Sequence, residues 1–99
     1  MFEVAETGAG QVLLIGRLDA AQAADAETRF ERLVGAEALN LSSLEYISSA
    51  GLGLLLKLHK HKIAAGGGLR LIEVSPHIVD ILHYSGFDKL FDVFPATKS

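Results

Sequence analysis

Two adjacent serines, Ser48 and Ser49, stand at the predicted start of a helix, directly after an apolar strand and a short loop. The first N–H groups of a helix lack intrahelical acceptors, and that end carries partial positive charge. A phosphate on either hydroxyl is therefore well tolerated there. It would add about −1.5 to −2 charges beside any surface that docks at this point. That is the layout of an on/off binding switch. The plain alternative is that a serine at a helix start is a cap and nothing more. Position alone leaves both readings open.

The elements that must hold this serine pair can be read from pattern. Phe2 to Ala5 alternates like a short strand, and Thr7-Gly8-Ala9-Gly10 is a turn. Gln11 to Leu18 is an almost continuously apolar strand, so the first two strands are expected to form a hairpin. Asp19 ends the second strand and can cap the next helix. From Ala20 to Val34 the residues Ala23, Ala26, Phe30, Leu33 and Val34 recur at helical spacing, and Gly35 stops the helix.

Ala36 to Leu41 reads as a third strand, Ser42 to Ser49 as a loop, and Ala50 to Ala65 as a second helix closed by Gly66-Gly67-Gly68. Leu69 to Val74 is a fourth strand. Ser75-Pro76 opens a third helix, with Ile78, Ile81 and Leu82 as its buried stripe and Gly86 at its end. Phe91 to Phe94 is a last strand, stopped by Pro95. The order β-β-α-β-α-β-α-β implies an α/β fold: a small mixed, mostly parallel sheet with right-handed crossovers and helices packed against it.

At ~100° per residue, Leu52, Leu55, Leu56, His59 and Ile63 share the face of the second helix expected to meet the sheet. Leu54 and Leu58 fall on the opposite side, beside His61. Two exposed leucines one turn apart are expected to form a partner-binding patch. Lys57, Lys60 and Lys62, with His59 and His61, give this helix a basic flank, expected to be a solvated face, with an acidic patch on a partner as the functional option.

Composition narrows the function classes. The 99 residues fit one domain, 1–99, and 49% are hydrophobic, so the chain is expected to fold. There is no cysteine, which rules out disulfides and thiolate metal sites. A net charge of −3 argues against nucleic-acid binding. Neither a signal-peptide pattern nor an apolar run of ~20 residues is present, so a cytoplasmic protein with no direct membrane insertion is expected.

The segment Leu41-Ser42-Ser43-Leu44-Glu45-Tyr46-Ile47-Ser48-Ser49-Ala50-Gly51-Leu52 resembles the signature of STAS domains, named for sulfate transporters and anti-sigma-factor antagonists. In that family an apolar strand leads through a short loop to a serine pair or Asp-Ser, and then to small-Gly-Leu at a helix start. Gly16-Arg17-Leu18-Asp19-Ala20 resembles the family's Gly-x-Leu-Asp segment, and Ser85-Gly86-Phe87-Asp88-Lys89-Leu90-Phe91 its Ser-Gly-Leu-x-x-x-Phe ending. The matches run in the right order from about Val12 to Phe94. Many members carry a further C-terminal amphipathic helix, which is expected to be missing here.

The resemblance implies a STAS-like fold and a partner switch. Unphosphorylated antagonists bind an anti-sigma factor, often a serine protein kinase, and so release a sigma factor. Phosphorylation ends binding, and a phosphatase resets the switch. Aligned on Gly51-Leu52, the phosphoacceptor falls on Ser49, with Ser48 as second choice. Asp19 matches an acidic position that contributes to partner recognition, and Asp19, Ser48, Ser49, Gly51, Leu54 and Leu58 make up the expected partner-binding set. A monomer or weak dimer is expected.

Other chemistries are less well supplied. His59 and His61 lie two apart on a helix and point ~200° away from each other, and His77 and His83 have no acidic cluster in sequence, so no metal site is expected. Gly66-Gly67-Gly68 lies at the wrong end of its helix for a phosphate loop and lacks its Gly-Lys-Ser/Thr ending. No histidine is placed between Asp19 and Ser49, so no catalytic residue and no cofactor are assigned. The alternatives carried forward are a STAS subunit partnering a membrane transporter or lipid-trafficking complex, and a small phosphotransfer or nucleotide-hydrolysing protein.

Overall fold

The fold is taken from a computed structural model, which describes residues 2–8, 10–33 and 35–96. Strands β1 (Phe2–Gly8) and β2 (Gln11–Leu18) form the expected antiparallel hairpin. The chain continues through α1 (Ala20–Glu31), β3 (Ala38–Ile47), α2 (Ser49–Ala64), β4 (Arg70–Val74), α3 (Pro76–Ser85), a 3-10 turn (Phe87–Lys89) and β5 (Asp92–Pro95). The five strands lie side by side in sequence order, with β2 to β5 parallel.

That order decides where the helices go. Each crossover steps to the next strand in the same direction, and right-handed crossovers then place α1, α2 and α3 on one face of the sheet. The burial pattern agrees. Val12, Leu14 and Leu18 of β2, Leu39 and Leu41 of β3 and Leu71 of β4 are buried with Phe30, Leu55 and Leu82 from the three helices.

Strands β1 and β3 are longer than the sequence pattern implies. The residues Ser42 to Ile47, expected as loop, continue β3 alongside β2. The alternation hides this because the pairing skips residues twice, between Leu13 and Ile15 and between Gly16 and Arg17. Each extra residue shifts the parity of the apolar positions, so Leu41, Leu44 and Ile47 all reach the core at a spacing of three. The α1 helix stops at Glu31, before the expected end. Of its expected apolar face Ala26 and Phe30 are buried, as is Leu33 just beyond it; the Ala23 side chain and Val34 lie outside the described residues. So do residues 97–99, which follow the last strand.

The expected orientation of α2 requires correction. Leu54 and Leu58 are 8% and 3% exposed, whereas Ile63, expected on the sheet side, is 55% exposed. The buried residues are Gly51, Leu52, Leu54, Leu55, Leu58 and Lys62, so Leu52 and Leu55 face inward as expected and the flank carrying Leu54 and Leu58 is buried with them. The reason is α1: lying on the same sheet face, it packs beside α2 and covers the flank that a lone helix would show to solvent. Glu27 and Phe30 of α1 meet Leu54, Lys57, Leu58 and His61 of α2 along this seam. Nor is Lys62 on a solvated flank. Its ammonium donates to the Ala36 carbonyl while its stem is buried. At the outer end of the seam Lys57 pairs with Glu27.

Candidate functional site

The serine pair lies where β2 and β3 end together. Leu18 and Ile47 are the last paired residues of the two parallel strands. Beyond them both chains turn into helices, so two helix N-termini open at the same sheet edge. Asp19 caps the first: its carboxylate accepts from the Ala21 N–H at 3.1 Å. Ser48 caps the second, its hydroxyl accepting from the Gly51 N–H at 3.3 Å.

Ser48 is committed three times. Its hydroxyl caps α2, its N–H donates to the Leu18 carbonyl at 2.9 Å, and its carbonyl accepts from the Leu52 N–H at 2.9 Å. Ser49 is the first residue of α2 and is exposed. Its hydroxyl makes no hydrogen bond among the described residues. The geometry thus separates two neighbouring serines by duty: one holds the backbone together and the other is open to solvent.

Gly51 explains the small-Gly-Leu step physically. A Cβ there would lie 2.6 Å from the Leu18 carbonyl oxygen and 2.8 Å from Ile47 Cγ1. Only a residue without a side chain lets the first turn of α2 sit this close to the ends of β2 and β3. The following Leu52 is buried against the core.

Arg17 and Tyr46 are site neighbours that pattern reading missed. They are paired across β2 and β3, and the Arg17 guanidinium lies 4.7 Å from the centre of the Tyr46 ring. Arg17 Nε is also 3.9 Å from the Asp19 carboxylate, with the Arg17 side chain exposed and that of Asp19 half-buried. A surface pair of this length contributes at most ~1 kcal/mol, so the Asp19 carboxylate stays accessible while capping α1. The pairing depends on strand register, which no spacing within either segment reveals.

Of the expected partner-binding set, Asp19, Ser48, Ser49 and Gly51 converge at this edge. Leu54 and Leu58 do not; they lie in the seam between α1 and α2.

His59 and His83 have structural duties. His59 Nδ1 accepts from the Leu69 N–H at 3.1 Å, and its ring stands edge-on to Phe91 at 5.2 Å. His83 Nδ1 lies 3.0 Å from the Asp88 carboxylate, a pair that adds one acidic neighbour where sequence offered none. No group of three or more His, Cys, Asp or Glu able to hold a metal occurs among the described residues. Gly66 ends α2 at φ +95°, and the Gly67 N–H returns to the Lys62 carbonyl at 2.7 Å, so this glycine run is a helix stop. No described helix is long and apolar enough to cross a membrane.

With the geometry in hand, comparison with known proteins is informative. A protein of Bordetella bronchiseptica, BtrV, named as a candidate anti-sigma factor antagonist, is 38% identical over 83 residues. The alignment covers 84% of this chain and 66% of that protein, slightly under two thirds of its length. An anti-sigma-factor antagonist (STAS) domain protein of Planctomyces limnophilus has the same fold, with a TM-score of 0.76 at 21% identity over 98% of this chain and 91% of that one. The Bacillus cell-fate determinant SpoIIAA, an anti-sigma factor antagonist, has been solved in two states. The unphosphorylated form matches with a TM-score of 0.67 at 18% identity over 98% of this chain and 90% of its own. The phosphorylated form matches at 0.64 and 21%, over 94% and 90%. The sequence profile of the STAS domain matches residues 4–99. Strand order, serine edge and profile agree, and the chain belongs to the STAS domain family.

Proposed function

We propose that this STAS domain is an anti-sigma-factor antagonist working as a phosphorylation-controlled partner switch, with Ser49 as the phosphoacceptor. In this reading the unphosphorylated domain binds an anti-sigma factor that is itself a serine kinase, and so frees a sigma factor. Phosphorylated Ser49 ends the binding, and a phosphatase restores it. The domain itself acts by binding and carries no catalytic residue.

The observation that carries the reading is the division of labour between the two serines. Ser48 is consumed in holding β2, β3 and α2 together, while the Ser49 hydroxyl is exposed at the start of a sixteen-residue helix. A kinase needs a hydroxyl that can enter its active site, and Ser49 meets that requirement without local unfolding. The phosphate would then sit at the positive end of α2, where its charge costs the fold little. The likeness to BtrV and to SpoIIAA, one of whose structures is of the phosphorylated form, supports the same reading. Asp19, one cap away on the adjoining strand end, supplies a fixed negative charge for partner recognition.

The test is retention of partners from the native cell lysate by the Ser49→Ala and Ser49→Asp domains, read by mass spectrometry. The expected result is a kinase-like protein held by the alanine bait and released by the aspartate bait. Both variants should fold, because neither touches the Ser48 cap. Equal retention of the same partners would reduce Ser49 to an ordinary helix-start residue. Phosphate appearing on Ser48 but not Ser49 would overturn the choice of acceptor.

A further inference from the structure

Arg17 brings a cation to the serine edge, and its hydrogen-bonding capacity there is unspent. Its guanidinium lies over the Tyr46 ring, 4.7 Å from the ring centre. Stacking uses the face of a guanidinium and leaves the N–H donors in its plane free for other partners. The Asp19 carboxylate, 3.9 Å from Nε, is beyond hydrogen-bonding distance. Arg17 makes no hydrogen bond among the described residues. Strand pairing explains why a ring, and not a carboxylate, stands beside this arginine. Gly16 pairs with Leu44 and Arg17 with Tyr46, so β3 has an extra residue, Glu45, at this step. In an unbulged ladder Glu45 would follow Leu44 into the place opposite Arg17. Glu45 is exposed instead and forms no ion pair with Arg17 among the described residues. The bulge exchanges an ion-pair partner for a stacking platform, so the guanidinium is oriented without being neutralised.

The same strand ends hold Ser49 close by. The Ser48 N–H donates at 2.9 Å to the carbonyl of Leu18, the residue between Arg17 and Asp19. Ser49 follows directly, its Cα about 3.8 Å from that of Ser48, and it is exposed. Arg17 already reaches toward the Asp19 carboxylate, which caps α1 at this edge. A phosphate on Ser49 would project into the space that Arg17 sweeps by rotating its side-chain bonds. It would bring about −1.5 to −2 charges and three acceptor oxygens, against the single charge of Asp19. A planar guanidinium can also donate to two phosphate oxygens at once. Charge and geometry therefore both favour the phosphate over Asp19 as the partner of Arg17.

We propose that Arg17 binds the phosphate of the phosphorylated domain, turning from Asp19 to clamp phosphoserine 49 and so setting how long the phosphorylated state lasts. This rests on Ser49 being the phosphoacceptor. Tyr46 is a positioning residue, since its ring holds the guanidinium at the serine edge. Asp19 and Glu45 are the carboxylates that neighbour Arg17 in sequence and in register, and both would repel the phosphate. The clamp offsets that repulsion, which no other pairing described at this edge does.

Phosphoserine placed at position 49 of the full chain during translation makes the test independent of any kinase. Phosphorus NMR then follows the second ionisation of the phosphate, which lies at about pH 6 in an unpartnered phosphoserine. A nearby cation favours the dianion, so Arg17→Gln should move the midpoint up by about one pH unit. A general protein phosphatase should also release the phosphate several-fold faster from the Arg17→Gln domain. Tyr46→Leu should move both readouts the same way by a smaller amount. Arg17→Lys, which keeps the charge and loses the planar fork, should fall between the original domain and Arg17→Gln. Circular dichroism should be the same for all of them, because the Arg17 side chain is exposed. An unchanged midpoint and an unchanged release rate in a folded Arg17→Gln domain would overturn the clamp. Phosphate found on Ser48 after reaction with the native kinase would overturn the choice of acceptor instead, a result that the titration does not touch.

Discussion

Two glycines in the first turn of α2 carry opposite consequences for the same substitution. Gly51 has the Leu18 carbonyl and Ile47 within 2.8 Å of where a Cβ would sit, whereas Gly53 has nothing within 4 Å. Helix propensity alone favours Ala over Gly by about 1 kcal/mol at both positions. At Gly51 overlap with backbone wins, since inserting a group into a packed contact costs about 1–3 kcal/mol. The expected outcome in urea denaturation is that Gly51→Ala destabilises the domain and Gly53→Ala stabilises it by up to about 1 kcal/mol. Gly51→Ala should also displace the Ser48–Ser49 step, because Ser48 is tied to the same Leu18 carbonyl that the new methyl would press on. Equal gains from both substitutions would mean that α2 stands further from the strand ends. The serine pair itself was visible in sequence, but which serine is free was not. That choice depends on the Gly51 N–H reaching Ser48 and on Ser48 reaching Leu18 across the sheet.

The seam between α1 and α2 is the point at which reading single elements fails. An amphipathic pattern reports how many sides of a helix are apolar, not what covers them. Here α2 is apolar around more than one side because it meets the sheet through Leu55 and α1 through Leu54 and Leu58. Leu58 is 3% exposed and packs beside Phe30. Leu58→Ala should therefore cost about 2–5 kcal/mol, the range for a buried leucine that leaves a cavity. A loss below about 0.5 kcal/mol in the same denaturation experiment, the size of an ordinary surface change, would return Leu58 to the surface. The extension of β3 through Ser42 to Ile47 belongs to this scale too. Its bulges against β2 break the alternation that identifies strands, and the bulged residues are the ones that read as loop.

At the scale of the whole molecule, sheet, seam and serine edge form one unit. Phe2 at the start of β1 stacks on Phe30 near the end of α1, and Phe91 before β5 packs on both His59 of α2 and Phe87. A single buried cluster contains residues from both ends of the chain. The expected consequence is one cooperative transition: urea curves from backbone circular dichroism and from tyrosine fluorescence should coincide. The tyrosines sample different regions, Tyr46 on β3 and Tyr84 on α3, so separate midpoints would reveal an independently unfolding C-terminal part.

Local chemistry was legible without the structure wherever it rests on neighbours in the chain. The caps at Asp19 and Ser75, the glycine stop after α2, the element order and the acidic balance all depend on residues within a few positions of one another. So did the motif that resembles STAS domains, because its serines and Gly51 are contiguous. Only the tertiary structure decided which face each element buries. The strand order β1-β2-β3-β4-β5, together with crossovers of one hand, put every helix on the same side. That one arrangement buried Leu54 and Leu58, turned Lys62 inward, exposed Ile63, brought Arg17 onto Tyr46 and left Leu13 and Ile72 on an uncovered sheet face. Each of these depends on residues far apart in the chain, where composition and spacing carry no information about contact.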